Sequence, residues 1–282
     1  MLGSFLVMLR EGFEASLLVA IVLAYLTQTG RKKDARGVWL GVGGAALISM
    51  VTAGVLFATA AGLEGTAGVY FKSGTMWLAV TFLTYMVLWM RRQSRTMAQG
   101  IRRNVDSAVE RGGMLALAML VFVMVLREGI ETGLFMFGIT QNSTPLGVGI
   151  GAVAGIAAAV GLGYAVYIGG KRINLGAFFK ITGVLLIVVA AGLLARGIAM
   201  VEIGGIIPAF FYPIWDLSSV VALTSASVSG QFLTTFLGWD AKPDLLEVGV
   251  WMVYLLTVGY AFLRPHARKA AQPARTQAET QN

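Results

Sequence analysis

Apolar residues dominate the chain in long runs, and short clusters of charge interrupt them. Seven runs stand out: Leu2–Thr27, Gly37–Ala60, Gly74–Met90, Gly113–Thr140, Leu146–Ile168, Gly176–Met200 and Leu246–Leu263. Each approaches or exceeds the roughly 17–25 residues that an α-helix needs to cross a bilayer. In hydrocarbon every backbone N–H and C=O must be paired within its own segment, so apolar runs of this length predict helices. The expected architecture is all-α: a polytopic membrane protein of seven transmembrane helices, with residues 1–264 as one membrane domain. The stretch between residues 201 and 245 is apolar in places but rich in Ser and Thr, and predicts a re-entrant or interfacial helical hairpin rather than an eighth span. Residues 265–282 are polar, carry two prolines and predict a disordered tail.

Charge orients the array. The clusters "RKKDAR", "RRQSRTMAQGIRRNVDSAVER", "GGKR" and "RPHARK" follow the first, third, fifth and seventh runs. With Lys180 and Arg275, that side holds seventeen of the 22 lysines and arginines. The positive-inside rule then places the N-terminus outside and the C-terminus in the cytoplasm, in the cell membrane. The same asymmetry accounts for a net charge of +8 without nucleic acid as a partner. The chain has no cysteine, so no disulfides are expected, and its single histidine, His266, falls in the tail. No basic segment precedes the first run, which is therefore expected to be a retained helix rather than a signal peptide. Composition, 57% hydrophobic and 13% charged with a mean hydropathy of +0.75, agrees with a bilayer as solvent.

Two interruptions are of another kind. "MLREGFEASLL" at 8–18 and "VLREGIETGLF" at 125–135 put charges in the middle of runs one and four. Arg10, Glu11, Gly12 and Glu14 match Arg127, Glu128, Gly129 and Glu131 at an offset of 117 residues. Runs one and four are three apart and cross in opposite directions, so the simplest description is a 3+3 inverted repeat, 1–90 and 113–200, followed by an outward loop, 201–245, and helix seven, 246–263. Inverted repeats recur in transporters, with the substrate site near the midplane between the halves.

At about 100° per residue, each arginine and its two glutamates share one narrow helical face, with the glycine on the opposite side. There the glycine lets a neighbouring backbone approach. The spacing predicts i,i+4 pairs between Arg10 and Glu14 and between Arg127 and Glu131. A charge at the bilayer centre costs at least about 2.5–3.5 kcal/mol, so these groups must face the interior and compensate one another. Four carboxylates against two guanidiniums leave a formal −2, which a multivalent cation would remove. Oxygen ligands suit hard cations, and the runs offer neither His nor Cys for zinc or copper. Met8, Met124 and Met136 near the motifs are read as packing residues. Ferric iron, manganese, calcium, magnesium and protons all remain open on chemistry alone. An enzyme is not expected, because no nucleophile or His-based metal site accompanies the carboxylates.

A duplicated Arg-Glu-Gly-x-Glu in helices one and four of a seven-helix chain resembles the oxidase-dependent iron transporter family, which comprises fungal high-affinity iron permeases and bacterial EfeU-type permeases. The resemblance covers nearly the whole chain, including "IWDLSS" and "FLGWDAKPDLLEVGVWMVYLL" in the outward loop and last helix. It implies iron import, the ion expected to be ferric iron delivered by an extracytoplasmic oxidase, with iron as transported substrate and no cofactor. Glu11, Glu14, Glu128 and Glu131 are then the implied iron ligands, and Arg10 and Arg127 their charge partners. An extracytoplasmic iron-oxidising or iron-delivery protein is the implied partner. Glu64, Glu202, Asp216, Asp240 and Asp244 are outward acids placed to receive the ion. The chain shows no clear Glu-x-x-Glu in its outward loops, which leans toward the bacterial branch. A permease for another divalent metal, or a proton-coupled cation exchanger, is the alternative. Among weaker features, Lys180 is expected to snorkel to the headgroups, and Gly147, Gly151 and Gly155 to mark close helix packing.

Overall fold

The computed structural model describes residues 1–93, 97–140, 144–169, 174–208, 211–224 and 227–264. The expected disordered tail, 265–282, lies outside the described residues. Eight α-helices account for nearly all of the described structure, and no strand occurs among the described residues. They are α1 (Leu2–Gln28), α2 (Ala35–Gly62), α3 (Gly65–Gln93), α4 (Met97–Thr140), α5 (Pro145–Gly169), α6 (Leu175–Ile203), α7 (Val228–Leu237) and α8 (Leu245–Leu263).

Six helices among the described residues are long and apolar enough to cross a membrane, namely α2, α3, the part of α4 from Gly112, α5, α6 and α8. The chain is a multi-pass membrane protein. Seven spans were expected; α1 lies outside the set of six, although its 27 residues reach about 40 Å at 1.5 Å per residue. It carries the three charges of the first motif and is enclosed by other helices, with Val7, Phe13 and Val22 fully buried. α2, by contrast, turns Trp39, Leu40, Leu47 and Met50 outward. A contiguous apolar surface of that kind on a long helix is a lipid face rather than a surface for water.

Two segments depart from the sequence expectation. The basic connection after α3 is itself helical from Met97, and α4 breaks at Gly113, where φ is 59° and ψ is −137°. That backbone region is open in practice to glycine only. Before the break, Ile101, Val105 and Val109 step by four residues along one face and are buried against Leu18, Val22 and Leu26 of α1. Tyr25 of α1 donates a hydrogen bond to Asp106 on the same segment. The second departure is the connection from 204 to 244, whose only α-helix among the described residues is α7, ten residues long and too short to span. Ser227 caps it by accepting from the Gly230 N–H at 2.9 Å, and Gly238 ends it at φ 69°.

Helix pairing follows a pattern. α1 packs along α5 and α4 along α2, while α3 packs against α6. Small residues set the closest approaches, as expected where packing rather than water drives association. Gly151 of α5 lies against the Met1 carbonyl, and Gly41 of α2 against the Ala118 carbonyl. Gly12 faces the Ala159 side chain and Gly129 that of Ser49, so the motif glycines admit short side chains of neighbouring helices where a bare backbone was expected. Gly155 similarly meets Phe5 and Met8. Replacing Gly41 with leucine forces α2 off α4 and costs about 1–3 kcal/mol. The unfolding midpoint in detergent falls accordingly, whereas Gly43→Leu, where the added carbon meets open space, leaves it unchanged.

Candidate functional site

The charged faces of the two motifs meet between α1 and α4. Glu11, Glu128 and Glu131 each offer a carboxylate oxygen, and these oxygens all lie within 4.8 Å of one another. All three residues are buried. The i,i+4 pairs form in both motifs: Arg10 Nε lies 3.3 Å from Glu14 Oε1, and Arg127 Nε donates to Glu131 Oε1 at 2.8 Å. Arg10 also approaches Glu11 at 3.8 Å. Glu14 is buried as well but stands with Arg10 and outside the converging three.

Four carboxylates stand against two guanidiniums in the motifs. Both oxygens of Glu11, Oε1 of Glu14, and Oε2 of Glu128 and of Glu131 are buried without a hydrogen bond. An unpaired buried carboxylate oxygen is costly, and three carboxylates crowded together repel. A bound cation satisfies both deficits at once, and an all-oxygen donor set fits a hard metal ion.

Apolar layers close the site on both sides. On one side lie Leu6 and Val7 of α1 with Phe135 and Ile139 of α4. On the other, Leu18 and Val22 of α1 and Leu117 and Val121 of α4 are covered by Ile101, Val105 and Val109. Met8 and Met136 belong to the first layer and Met124 to the second, the packing role expected of them. The arrangement is a charged chamber at the middle of two helices, closed around Arg10 and Glu11 and open beside Arg127.

Comparison with known proteins is decisive at this point. The profile of the iron permease FTR1 family matches residues 1–266. The chain belongs to that family. It is 37% identical over 263 residues to a ferrous iron permease EfeU of Escherichia coli O6:H1, covering 93% of this chain and 95% of the relative. A ferrous iron permease EfeU of Yersinia pestis is 34% identical over 263 residues, with 93% of each chain covered. No solved structure matches. The matched family and these relatives are described as iron permeases, that is, transporters rather than enzymes.

The five acids expected to face outward do not join the chamber. Glu64 is exposed between α2 and α3. Asp216 pairs with Lys242 at 2.9 Å, and Asp240 with Arg196 at 3.3 Å. Asp244 is buried and caps α8, accepting from the Leu246 N–H at 2.5 Å, with its other oxygen unpaired. Glu202 is half-buried, with Oε1 unpaired. Glu247, one turn into α8, is buried and interacts electrostatically with Asp240, Glu202 and Arg196. The sequence reading missed it because it opens an apolar run directly after the capping Asp244, where an acidic residue ordinarily serves the helix dipole. Trp215 and Trp239 stack at 5.8 Å, and Trp251 donates to the Leu237 carbonyl at 2.7 Å. They hold the connection between α6 and α8 together.

Hydrogen bonds from Ser218 and from Lys242 hold the Asp216 carboxyl at about 2, below the ordinary aspartate value of 3.8. A depressed carboxyl favours the folded loop at pH above the ordinary value, and the contribution is lost as pH falls through about 2. Emission from the Trp215–Trp239 stack should therefore hold steady from neutral pH to below 3.8 and change on approach to 2. In Asp216→Asn that acid step should disappear.

Proposed function

We propose that the chain imports iron across the cell membrane through a carboxylate site between α1 and α4. Glu11, Glu128 and Glu131 bind the ion, Glu14 anchors Arg10 beside it, and Arg10 and Arg127 balance the charge. The observation that carries this reading is the convergence of three buried carboxylates from two helices, with oxygens left without a hydrogen bond. Intramembrane ionisable groups gathered in this way are the usual mark of an ion path.

In this reading α1 is a seventh span and the first six long helices form an inverted repeat. Support comes from matched packing. Gly12–Ala159 and Gly129–Ser49 are equivalent contacts at offsets of 117 and 110 residues, and Gly151–Met1 and Gly41–Ala118 are related by the same two offsets. The basic connections lie in the cytoplasm, which puts Glu64, Glu202, Asp216, Asp240 and Asp244 on the outer side, joined by Glu247. An extracytoplasmic iron-handling protein delivers the ion there, and rocking of the repeats opens the two apolar layers in turn.

Ferrous iron is the favoured cargo. Four carboxylates with two guanidiniums leave −2, which a divalent ion balances, and the relatives carry the name ferrous iron permease. Ferric iron supplied by an oxidase is the second reading, favoured by the all-oxygen donor set. Uptake of radioactive iron into proteoliposomes separates them when iron is offered under ascorbate or as ferric citrate. Manganese and an imposed proton gradient without metal serve as competing arms. Iron flux under neither condition sinks the proposal, and proton flux alone points to an exchanger.

A further inference from the structure

Arg10 and Arg127 hold equivalent places in the two motifs but have different surroundings. The Arg10 side chain is 1% exposed, closed in by Glu11 and Glu14. The Arg127 side chain is 44% exposed and lines a groove of about 320 Å³ between α3 and α4, with Phe82, Ile130 and Glu131. Its guanidinium carbon lies 5.3 Å from the centre of the Trp89 ring on α3, while its Nε donates to Glu131 Oε1. A cation shared between a carboxylate and an aromatic face has two partners, and the groove gives it room to move from one toward the other. Attraction to a ring face is strongest where water is excluded.

We propose that Trp89 is a positioning residue for transport, holding the Arg127 guanidinium when the ion takes Glu131, so that motif two yields its counter-charge while motif one keeps Arg10 in place. This rests on the reading of Glu11, Glu128 and Glu131 as ion ligands. With Arg127 on Oε1, Glu131 has only Oε2 for an ion. With Arg127 moved onto the Trp89 face, it offers both oxygens. The return of Arg127 to Glu131 then displaces the ion toward release. Trp89 lies outside both motifs, and no part of this role requires it to touch the ion.

The concentration dependence of iron uptake in proteoliposomes tests the proposal with four variants. Trp89→Leu should raise the half-saturating iron concentration about three- to thirtyfold, with a smaller change in maximal rate, because Arg127 then competes for Glu131 without an alternative. Trp89→Phe keeps a ring face and should stay within about threefold of wild type. Arg127→Gln should lower the half-saturating concentration and slow the maximal rate. Trp89→Leu/Arg127→Gln should match Arg127→Gln, since Trp89 acts only through the guanidinium. A Trp89→Leu effect that persists undiminished in the Arg127→Gln background marks a packing role and overturns the proposal. So does an unchanged half-saturating concentration in Arg127→Gln, a readout that does not depend on Trp89→Leu folding. Glu128→Gln, assayed alongside, keeps the two readings apart. Wild-type transport by Glu128→Gln sinks the ligand assignment, whereas an inactive Glu128→Gln beside a neutral Trp89→Leu sinks only the role of Trp89.

Discussion

Glu11→Gln and Glu128→Gln should each abolish iron uptake while leaving the protein folded. Glutamine keeps the size and packing of glutamate and removes its charge, so the change falls on ion binding. Loss of a residue that merely orients a metal ligand already costs about 10- to 100-fold in affinity. Loss of a ligand costs more, and uptake at low iron should fall by at least about a hundredfold. Folding should not suffer, because the present arrangement crowds three buried carboxylates within 4.8 Å and leaves both Glu11 oxygens without a donor. Removing one like charge relieves that repulsion. Radioactive iron uptake, read beside a monodisperse profile in detergent, is the measurement. Glu64→Gln, in an exposed connection, is the control and should transport close to wild type. Wild-type uptake by both chamber variants removes Glu11 and Glu128 from the ion path.

The chamber was readable in part because a helix obliges residues at i and i+4 to share a face. Arg10 with Glu14, and Arg127 with Glu131, follow from that rule alone, as does the placing of Gly12 and Gly129 against neighbouring helices. The rule describes one helix at a time. It does not say which faces meet, so it does not reveal that Glu14 stays with Arg10 while Glu11 joins Glu128 and Glu131. Helix 97–112 carried its own signal in Ile101, Val105 and Val109, but the surrounding arginines made the stretch read as a charged connection. Trp89 reads in the sequence only as an interfacial anchor. A tryptophan near the end of an apolar run ordinarily marks the membrane interface, and only the docking of α3 beside α4 turns its ring toward Arg127.

Arg10→Met should strip the chain of much of its stability, and Arg127→Met should not. Removing one member of a buried ion pair leaves the other charge uncompensated and costs about 3–5 kcal/mol. Arg10 serves two buried carboxylates, Glu14 at 3.3 Å and Glu11 at 3.8 Å, and its own side chain is 1% exposed. Total stabilities of about 5–15 kcal/mol leave little margin for such a loss. Arg127 is 44% exposed and holds Glu131 alone, so its removal strands one carboxylate beside a groove that remains open. Replacing both members of a buried pair by apolar residues is often neutral, so Arg10→Met/Glu14→Leu should recover part of what Arg10→Met loses. Thermal unfolding in detergent checks all three variants. Equal losses in Arg10→Met and Arg127→Met would show that exposure does not set the cost. The expected inequality assigns the sealed motif to holding the chamber together and the open motif to exchanging its charge.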